Sequence, residues 1–123
     1  MAEGEFIKVE TRPISDKIHE VRIEGALDWS NFAKVEAAID DVFGLKVYNI
    51  IVNLEAVKYI SSAGFGCFIQ SLDTAINNGG KIIFSGTPDH IKEVFNILGL
   101  STILTFASDE TDALSQFEAT SAK

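Results

Sequence analysis

Side chains that bind metals or form disulfides are scarce in this sequence. Cys67 is the only cysteine, which excludes an internal disulfide and a cysteine-based metal site and favours a reducing, cytoplasmic compartment. The two histidines, His19 in a predicted strand and His90 in the first turn of a predicted helix, have no ligand partner at metal-binding spacing. We therefore interpret both as surface residues and predict no metal site and no cofactor.

Positive charge and long apolar runs are also lacking. Lys and Arg number 10 against 18 Asp and Glu, and the net charge of −8 argues against nucleic acid and anionic membranes while leaving a basic protein partner open. No apolar run approaches the roughly 18 residues that cross a bilayer. The start, MAEGEF, has neither the basic region nor the apolar core of a signal peptide. We expect a soluble cytoplasmic protein.

Catalytic motifs are missing as well. Neither a G-x-S-x-G motif nor a Gly-rich phosphate-binding motif can be read in the chain. The acidic pair Asp40 and Asp41 lies on the exposed side of a predicted helix, where two solvated carboxylates are the simpler interpretation. The sequence therefore predicts a protein that is not an enzyme.

What the sequence does contain is a regular alternation of strand and helix patterns. Apolar, β-branched runs predict five strands: FIKVET at 6–11, IHEVRIE at 18–24, VYNIIVNL at 47–54, KIIFS at 81–85 and TILTF at 102–106. The first two strands form an antiparallel pair, and the third is apolar enough to lie in the middle of the sheet.

Apolar residues at helical spacing predict four helices between and after these strands. The expected apolar faces of the first three are Phe32, Val35, Ile39, Val42 and Phe43; then Phe65, Phe68, Ile69, Leu72 and Ile76; then Ile91, Val94, Phe95 and Leu98. Thr87 and Ser108 are the expected N-caps of the third and fourth helices, with Pro88 at the first helical position of the third.

The resulting order, ββαβαβαβα, predicts an α/β fold. We expect a single domain with a mixed, mostly parallel β-sheet of about five strands and about four helices, because strands that alternate with helices pair in parallel. The domain spans residues 1–123, with a core at about 5–118 and fraying at 119–123.

The stretch YISSAGFG, residues 59–66, connects the third strand to the second helix. Ligands and reactive groups collect at the carboxyl ends of strands in such sheets, and Ser61 or Ser62 can cap the helix here. Gly64 and Gly66 each cost about 1 kcal/mol in a helix relative to alanine, so stability does not explain them. We interpret the stretch as a docking surface around a hydroxyl, where a phosphate would confront a closely fitted partner with a buried dianion.

Three stretches resemble the STAS domain (sulphate transporter and anti-sigma-factor antagonist), and above all the stand-alone bacterial anti-sigma-factor antagonists. They are GALDWSN at 25–31, VNLEAVKYISSAGFGCFI at 52–69 and NNGGKIIFSGTPDHIKEVFNILGL at 77–100. The resemblance covers roughly residues 5–118 and supports the predicted fold.

The resemblance implies a regulator that binds an anti-sigma factor, often itself a serine kinase with a histidine-kinase-like ATPase fold, and so frees the sigma factor. Phosphorylation in the turn releases the complex, and a PP2C-type serine phosphatase reverses it. We expect a monomer or a weak dimer. The residues expected to contact the partner are Asp28, Tyr59, Ser61, Ser62, Ala63, Gly64, Phe65 and Gly66.

One position departs from the family pattern. Many members read Asp-Ser-Ser-Gly or Asp-Ser-Thr-Gly, with the third residue as phosphoacceptor; aligned on Gly64, this chain has Ala63 there and Ser61 in place of the acid. Ser62 is therefore the favoured acceptor, with Ser61 as the alternative. Asp28 matches an acidic residue of the family near the same surface, and a helix-flanking turn acid is the other interpretation.

Two other functions are compatible with the sequence. Because Ala63 cannot be phosphorylated, the chain could be a phosphorylation-insensitive STAS scaffold or an interaction module of a larger signalling or transport complex. An enzyme that uses Ser62 as a nucleophile is disfavoured, since no base is evident beside it.

Overall fold

The computed structural model describes residues 7–121 as a five-stranded sheet with helices on both faces. Its elements are β1 Ile7–Pro13, β2 Ile18–Leu27, α1 Phe32–Gly44, β3 Asn49–Ile60, α2 Ser62–Asn77, β4 Lys81–Ser85, α3 Asp89–Ile97, a 3₁₀ turn Leu100–Thr102, β5 Thr105–Ala107 and α4 Glu110–Ser121. The strands lie in the order β1-β2-β3-β4-β5, with β1 antiparallel to β2 and the remaining pairs parallel. The predicted α/β fold with its mixed, mostly parallel sheet is confirmed.

The core divides into two layers because β3 is buried on both faces. Val52 and Leu54 pack into the larger cluster beneath α1, α2 and α3, whereas Ile51 faces the smaller cluster beneath α4. In the larger cluster the Phe95 ring lies 4.8 Å from that of Phe65 and 5.8 Å from that of Phe84. These ring contacts fix α3 against α2 and the sheet.

Three apolar residues expected on buried helix faces are exposed. Ile76 is 57 % exposed in the last turn of α2, at the amino ends of the parallel strands, where no element covers it among the described residues. Val94 and Leu98 are 38 % and 53 % exposed, since only Ile91 and Phe95 of α3 point into the core. His19, expected at the surface, is half-buried in β2.

Both expected helix caps are wrong by one residue. Pro88 is the N-cap of α3, because its backbone is extended and the helix begins at Asp89; Thr87 therefore lies outside the helix. Asp109, and not Ser108, caps α4: its carboxylate accepts a bond from the Asp112 amide at 2.9 Å, and its carbonyl accepts the first helical bond.

The predicted chain ends extend beyond the described part. Phe6, the expected first residue of β1, and the expected start of the core at residue 5 lie outside the described residues. Helix α4 extends to Ser121. The expected fraying at 119–123 stays a prediction, and residues 122–123 lie outside the described part of the chain. Between residues 7 and 121 no helix has the length and apolar character needed to cross a membrane.

Strand β3 extends well past its neighbour β4. Its pairing with β4 ends where Asn53 lies opposite Ser85, but its pairing with β2 continues until Ile60 lies opposite Leu27. The residues that follow Ile60 are therefore held beyond the carboxyl end of β4.

Candidate functional site

The serine turn, residues 61–66, joins the extended end of β3 to α2. The Ser61 amide donates to the Leu27 carbonyl oxygen at 2.8 Å, which ties the turn to the end of β2. The Phe65 amide donates to the Ser61 carbonyl oxygen at 3.0 Å and closes the first turn of the helix. The site lies at the carboxyl ends of parallel strands, as expected, and its backbone is held by both neighbouring elements.

The two serines occupy different positions in this turn. Ser61 is the N-cap of α2, and its partly buried hydroxyl accepts a long bond of 3.5 Å from the Gly64 amide. Ser62 is the first helical residue and is exposed. Only the Ser62 hydroxyl is both open to solvent and free of a capping role. Ala63 is partly buried beside it.

The two glycines face opposite ways, and one expectation is wrong. A Cβ atom on Gly64 would lie 2.8 Å from Leu27 Cγ and 2.9 Å from Ile60 Cγ2, so the absence of a side chain serves the chain's own packing. Gly64 is buried and leaves no room for a partner. Gly66 is exposed, and a Cβ atom there would meet nothing within 4 Å. The open side of the turn is therefore the side of Ser62 and Gly66.

Asp28 shapes the neighbouring turn between β2 and α1. Its carboxylate accepts bonds from the Ser30 amide at 2.9 Å and the Ser30 hydroxyl at 2.6 Å, and its carbonyl oxygen accepts from the Phe32 amide at 2.8 Å. The helix-flanking role is thus present in the structure. Contact between Asp28 and a kinase stays a prediction.

Trp29 in the same turn is a candidate that sequence reasoning missed. It is the only tryptophan in the chain, and its large apolar side chain is 78 % exposed instead of buried in the core. The signal available in the sequence is a large aromatic residue among Asp28, Ser30 and Asn31, polar residues of the kind found in turns, where an amphipathic pattern offers it no buried position.

A groove borders the serine turn on the side of α3. It encloses about 330 Å³, and its lining residues are Tyr59, Ile60, Ser61, Ser62, Phe65, His90, Ile91, Val94 and Leu98. Buried Phe65 and Ile91 form its floor, while Tyr59, which is 54 % exposed, and Leu98 stand at the sides. His90, one of the lining residues, connects α3 to β3, since its ring nitrogen Nε2 lies 2.8 Å from the Lys58 carbonyl oxygen.

The nearest thiol, that of Cys67, is buried and a poor nucleophile. Cys67 is buried in α2, and burial raises the pKa of its thiol to about 11, so the thiolate is a minor species at neutral pH. Residues 7–121 contain no group of three or more His, Cys, Asp or Glu side chains placed to hold a metal ion. In the described residues the serine turn combines an exposed Ser62 with an adjoining groove.

Comparison with known proteins identifies the family of this chain. The family model of the STAS domain matches residues 11–113. The anti-sigma-B factor antagonist of Staphylococcus aureus is 32 % identical over 89 residues, which are 72 % of this chain and 82 % of that protein. The chain belongs to the STAS domain family.

The 32 % identity to the S. aureus protein places the chain with the anti-sigma-factor antagonists within that family. The solved structure of the antagonist SpoIIAA in its unphosphorylated form superposes with a TM-score of 0.77 at 20 % identity, over 91 % of this chain and 97 % of that one. The structure of SpoIIAA from Bacillus in its phosphorylated form has a TM-score of 0.71 at 22 % identity, over 89 % of this chain and 99 % of that one. These two structures share the fold of this chain.

Proposed function

We propose that this chain is a cytoplasmic, non-enzymatic anti-sigma-factor antagonist that is switched by phosphorylation at Ser62. In its unphosphorylated form it binds an anti-sigma factor that is also a serine kinase of histidine-kinase-like ATPase fold. Phosphorylation by that kinase releases the complex, and a PP2C-type serine phosphatase restores binding. The antagonist itself is a monomer or a weak dimer.

The exposed Ser62 hydroxyl beside an open, mostly apolar groove is the observation that carries this proposal. Ser61 is the weaker candidate for the acceptor, because its hydroxyl is partly buried and caps α2. The name of the S. aureus relative, anti-sigma-B factor antagonist, supports the class of partner.

A phosphate on Ser62 would affect the partner far more than the fold. The amide groups of the first turn of α2 point toward it and favour negative charge, so the helix accommodates the added −1.5 to −2 charges. A partner packed against the neutral hydroxyl would bury that dianion, at a loss of several kcal/mol unless Lys or Arg matched it. Each loss of about 1.4 kcal/mol weakens binding tenfold. A loss of several kcal/mol from one phosphate is therefore enough to release the complex.

The first experiment incubates the pure chain with each anti-sigma-factor kinase of its own organism and ATP, and then maps the modified peptides. We expect phosphate on Ser62 and a complex that dissolves as it accumulates. Ser62→Ala should form a complex that the kinase cannot dissolve. Ser62→Asp should bind at least tenfold more weakly than the parent.

Ser115→Asp is the matched control, since Ser115 is exposed on α4 and the substitution adds the same charge. If the Ser115 and Ser62 variants bind alike, the charge effect is not local and the switch is wrong. Absence of phosphate on both Ser62 and Ser61 would exclude phosphorylation as the release step.

Ala63 supports a second candidate, a phosphorylation-insensitive STAS scaffold or interaction module in a larger signalling or transport complex. Its partly buried methyl group takes the usual acceptor position and cannot be modified. Size-exclusion chromatography of the native protein in lysate separates the two functions. A large, stable particle favours the scaffold, whereas a monomer or dimer favours the switch.

A further inference from the structure

We infer that Trp29 is the main anchoring side chain of the docking surface, and that it inserts into an apolar pocket of the anti-sigma factor while Ser62 lies against the same partner. This inference rests on the proposed function and assigns a residue to it. The partner pocket must accept a planar indole and offer a carbonyl or carboxylate oxygen to the indole N–H, which is a donor only.

Exposure is the first reason for this assignment. Trp29 is 78 % exposed, the largest exposed fraction of any large apolar side chain in the described part of the chain. Tryptophan is among the residues most enriched at the energetic centres of protein interfaces, because it contributes a large contact area with few rotatable bonds.

The second reason is that hydrogen bonds fix the backbone of the turn around Trp29 while its side chain stays outside. The Asp28 amide donates to Asn31 Oδ1 at 2.9 Å, and the Ser30 amide and hydroxyl both donate to the Asp28 carboxylate, so these bonds span Trp29. Asn31 is 6 % exposed, and its Nδ2 group donates to the Ala26 carbonyl oxygen at 2.9 Å. A turn fixed before binding loses little backbone freedom when the partner arrives.

The third reason is position. The bond from the Ser61 amide to the Leu27 carbonyl oxygen holds the serine turn beside the end of β2, where the Trp29 turn begins. The apolar groove borders the serine turn from the other side, toward α3. Because β2 and β4 lie on opposite sides of β3, the Trp29 turn and the groove lie on opposite sides of the serine turn, where one partner could cover all three.

The test uses the full chain and the anti-sigma-factor kinase that binds the parent in the phosphorylation experiment. We expect Trp29→Ala to weaken that binding by roughly thirty-fold or more and Trp29→Phe to recover part of the loss, as for a binding hot spot. Ile76→Ala is the control, because it removes another surface-exposed apolar side chain, at the far end of α2, and should bind like the parent. Urea unfolding of Trp29→Ala should match that of the parent.

Contact is measured separately from affinity. A chain labelled with 5-fluorotryptophan gives one ¹⁹F signal, since Trp29 is the only tryptophan. We expect this signal to shift when the unlabelled kinase is added and to keep its position when the chain alone is diluted.

The possible failures are distinct. Trp29→Ala binding as tightly as the parent, or an unmoved ¹⁹F signal in the complex, overturns the role of Trp29 while the Ser62 switch stands on its own variants. A signal that moves on dilution of the chain alone assigns Trp29 to a contact between two copies and also overturns it. If no kinase binds the parent, the proposed function fails and the assignment fails with it.

Discussion

At the scale of single residues, the serine turn contains two glycines with opposite reasons for lacking a side chain. Gly64 is required by the chain's own interior, where Leu27 and Ile60 leave no space for a Cβ atom. Gly66 faces solvent, and packing does not require the absence of a side chain there. Identical residues two positions apart therefore divide the turn into a packed side and an open side.

Alanine substitutions separate these two sides. Gly64→Ala should lower the free energy of unfolding by about 1–3 kcal/mol through overpacking. Gly66→Ala should raise it by about 1 kcal/mol, because alanine is the better helix former and its methyl group meets no atom. Urea denaturation of both variants checks the signs, and equal effects would contradict the assignment of the two sides.

Gly66→Ala also tests the docking surface. The added methyl group should weaken binding of the anti-sigma factor even though the variant is more stable, because it occupies the open side of the turn. Stability and binding that rise together would place the partner contact elsewhere.

At the scale of the secondary-structure elements, the sequence pattern predicted which helices exist better than where they begin. Thr87 and Ser108 have suitable hydroxyls, yet each lies one residue before the true N-cap, Pro88 or Asp109. The choice depends on the backbone angles of the turn, and the sequence pattern does not contain them. Capping residues close together in sequence compete, and geometry decides among them.

Helix α4 offers a direct comparison of the two candidates. Asp109→Ala should lower the free energy of unfolding by about 1 kcal/mol, since it removes the bond to the Asp112 amide. Ser108→Ala should stay within about 0.5 kcal/mol, because the Ser108 hydroxyl lies 3.5 Å from Asp112 Oδ2 and its amide bond to the same carboxylate is kept. Thermal or urea unfolding measures both, and the reverse order would restore Ser108 as the cap.

At the scale of the whole molecule, Arg12 connects three elements on the face of the sheet opposite α1 and α2. Its guanidinium group bonds to Glu20 of β2 at 3.1 Å and to Glu110 of α4, and these carboxylates, Glu110 first, raise the pKa of Arg12. Glu20 is only 7 % exposed, and its other oxygen accepts from Asn53 Nδ2 at 3.1 Å. The strand β1 is thereby joined to the rest of the sheet by side chains as well as by its ladder.

Removal of Arg12 should destabilise the fold mainly through Glu20. Arg12→Ala leaves a buried carboxylate with Asn53 as its remaining partner, and we expect a loss of about 1–3 kcal/mol in urea unfolding. Lys8→Ala should change stability by less than about 0.5 kcal/mol, since its pair with Glu10 is exposed and solvated.

A second substitution identifies the cause. Adding Glu20→Gln to Arg12→Ala removes the unpaired charge and should recover part of the lost stability. If the double variant is no more stable than Arg12→Ala, the loss comes from the contact with α4.

The sequence predicted the sheet, the helix order and the position of the serine turn because these follow from local periodicity and turn residues. It did not predict that Gly64 faces the core, since that depends on Leu27 from a distant strand. The exposure of Val94 and Leu98 depends on the orientation of α3 about its own axis, which the packing of Phe95 sets. The groove depends on the same orientation, and the helical pattern alone does not determine it. Trp29 was missed for a similar reason, since an apolar residue in a turn carries no periodic signal.

The unequal lengths of β3 and β4 have a consequence for divergence among relatives. Beyond Asn53, β3 has a sheet neighbour only in β2 among the described residues, and Glu55, Lys58 and Tyr59 on this extension are exposed. Substitutions at these three positions therefore change the surface next to the serine turn without removing a buried side chain. One strand thus carries its core-forming residues and its variable surface at adjoining but separate positions.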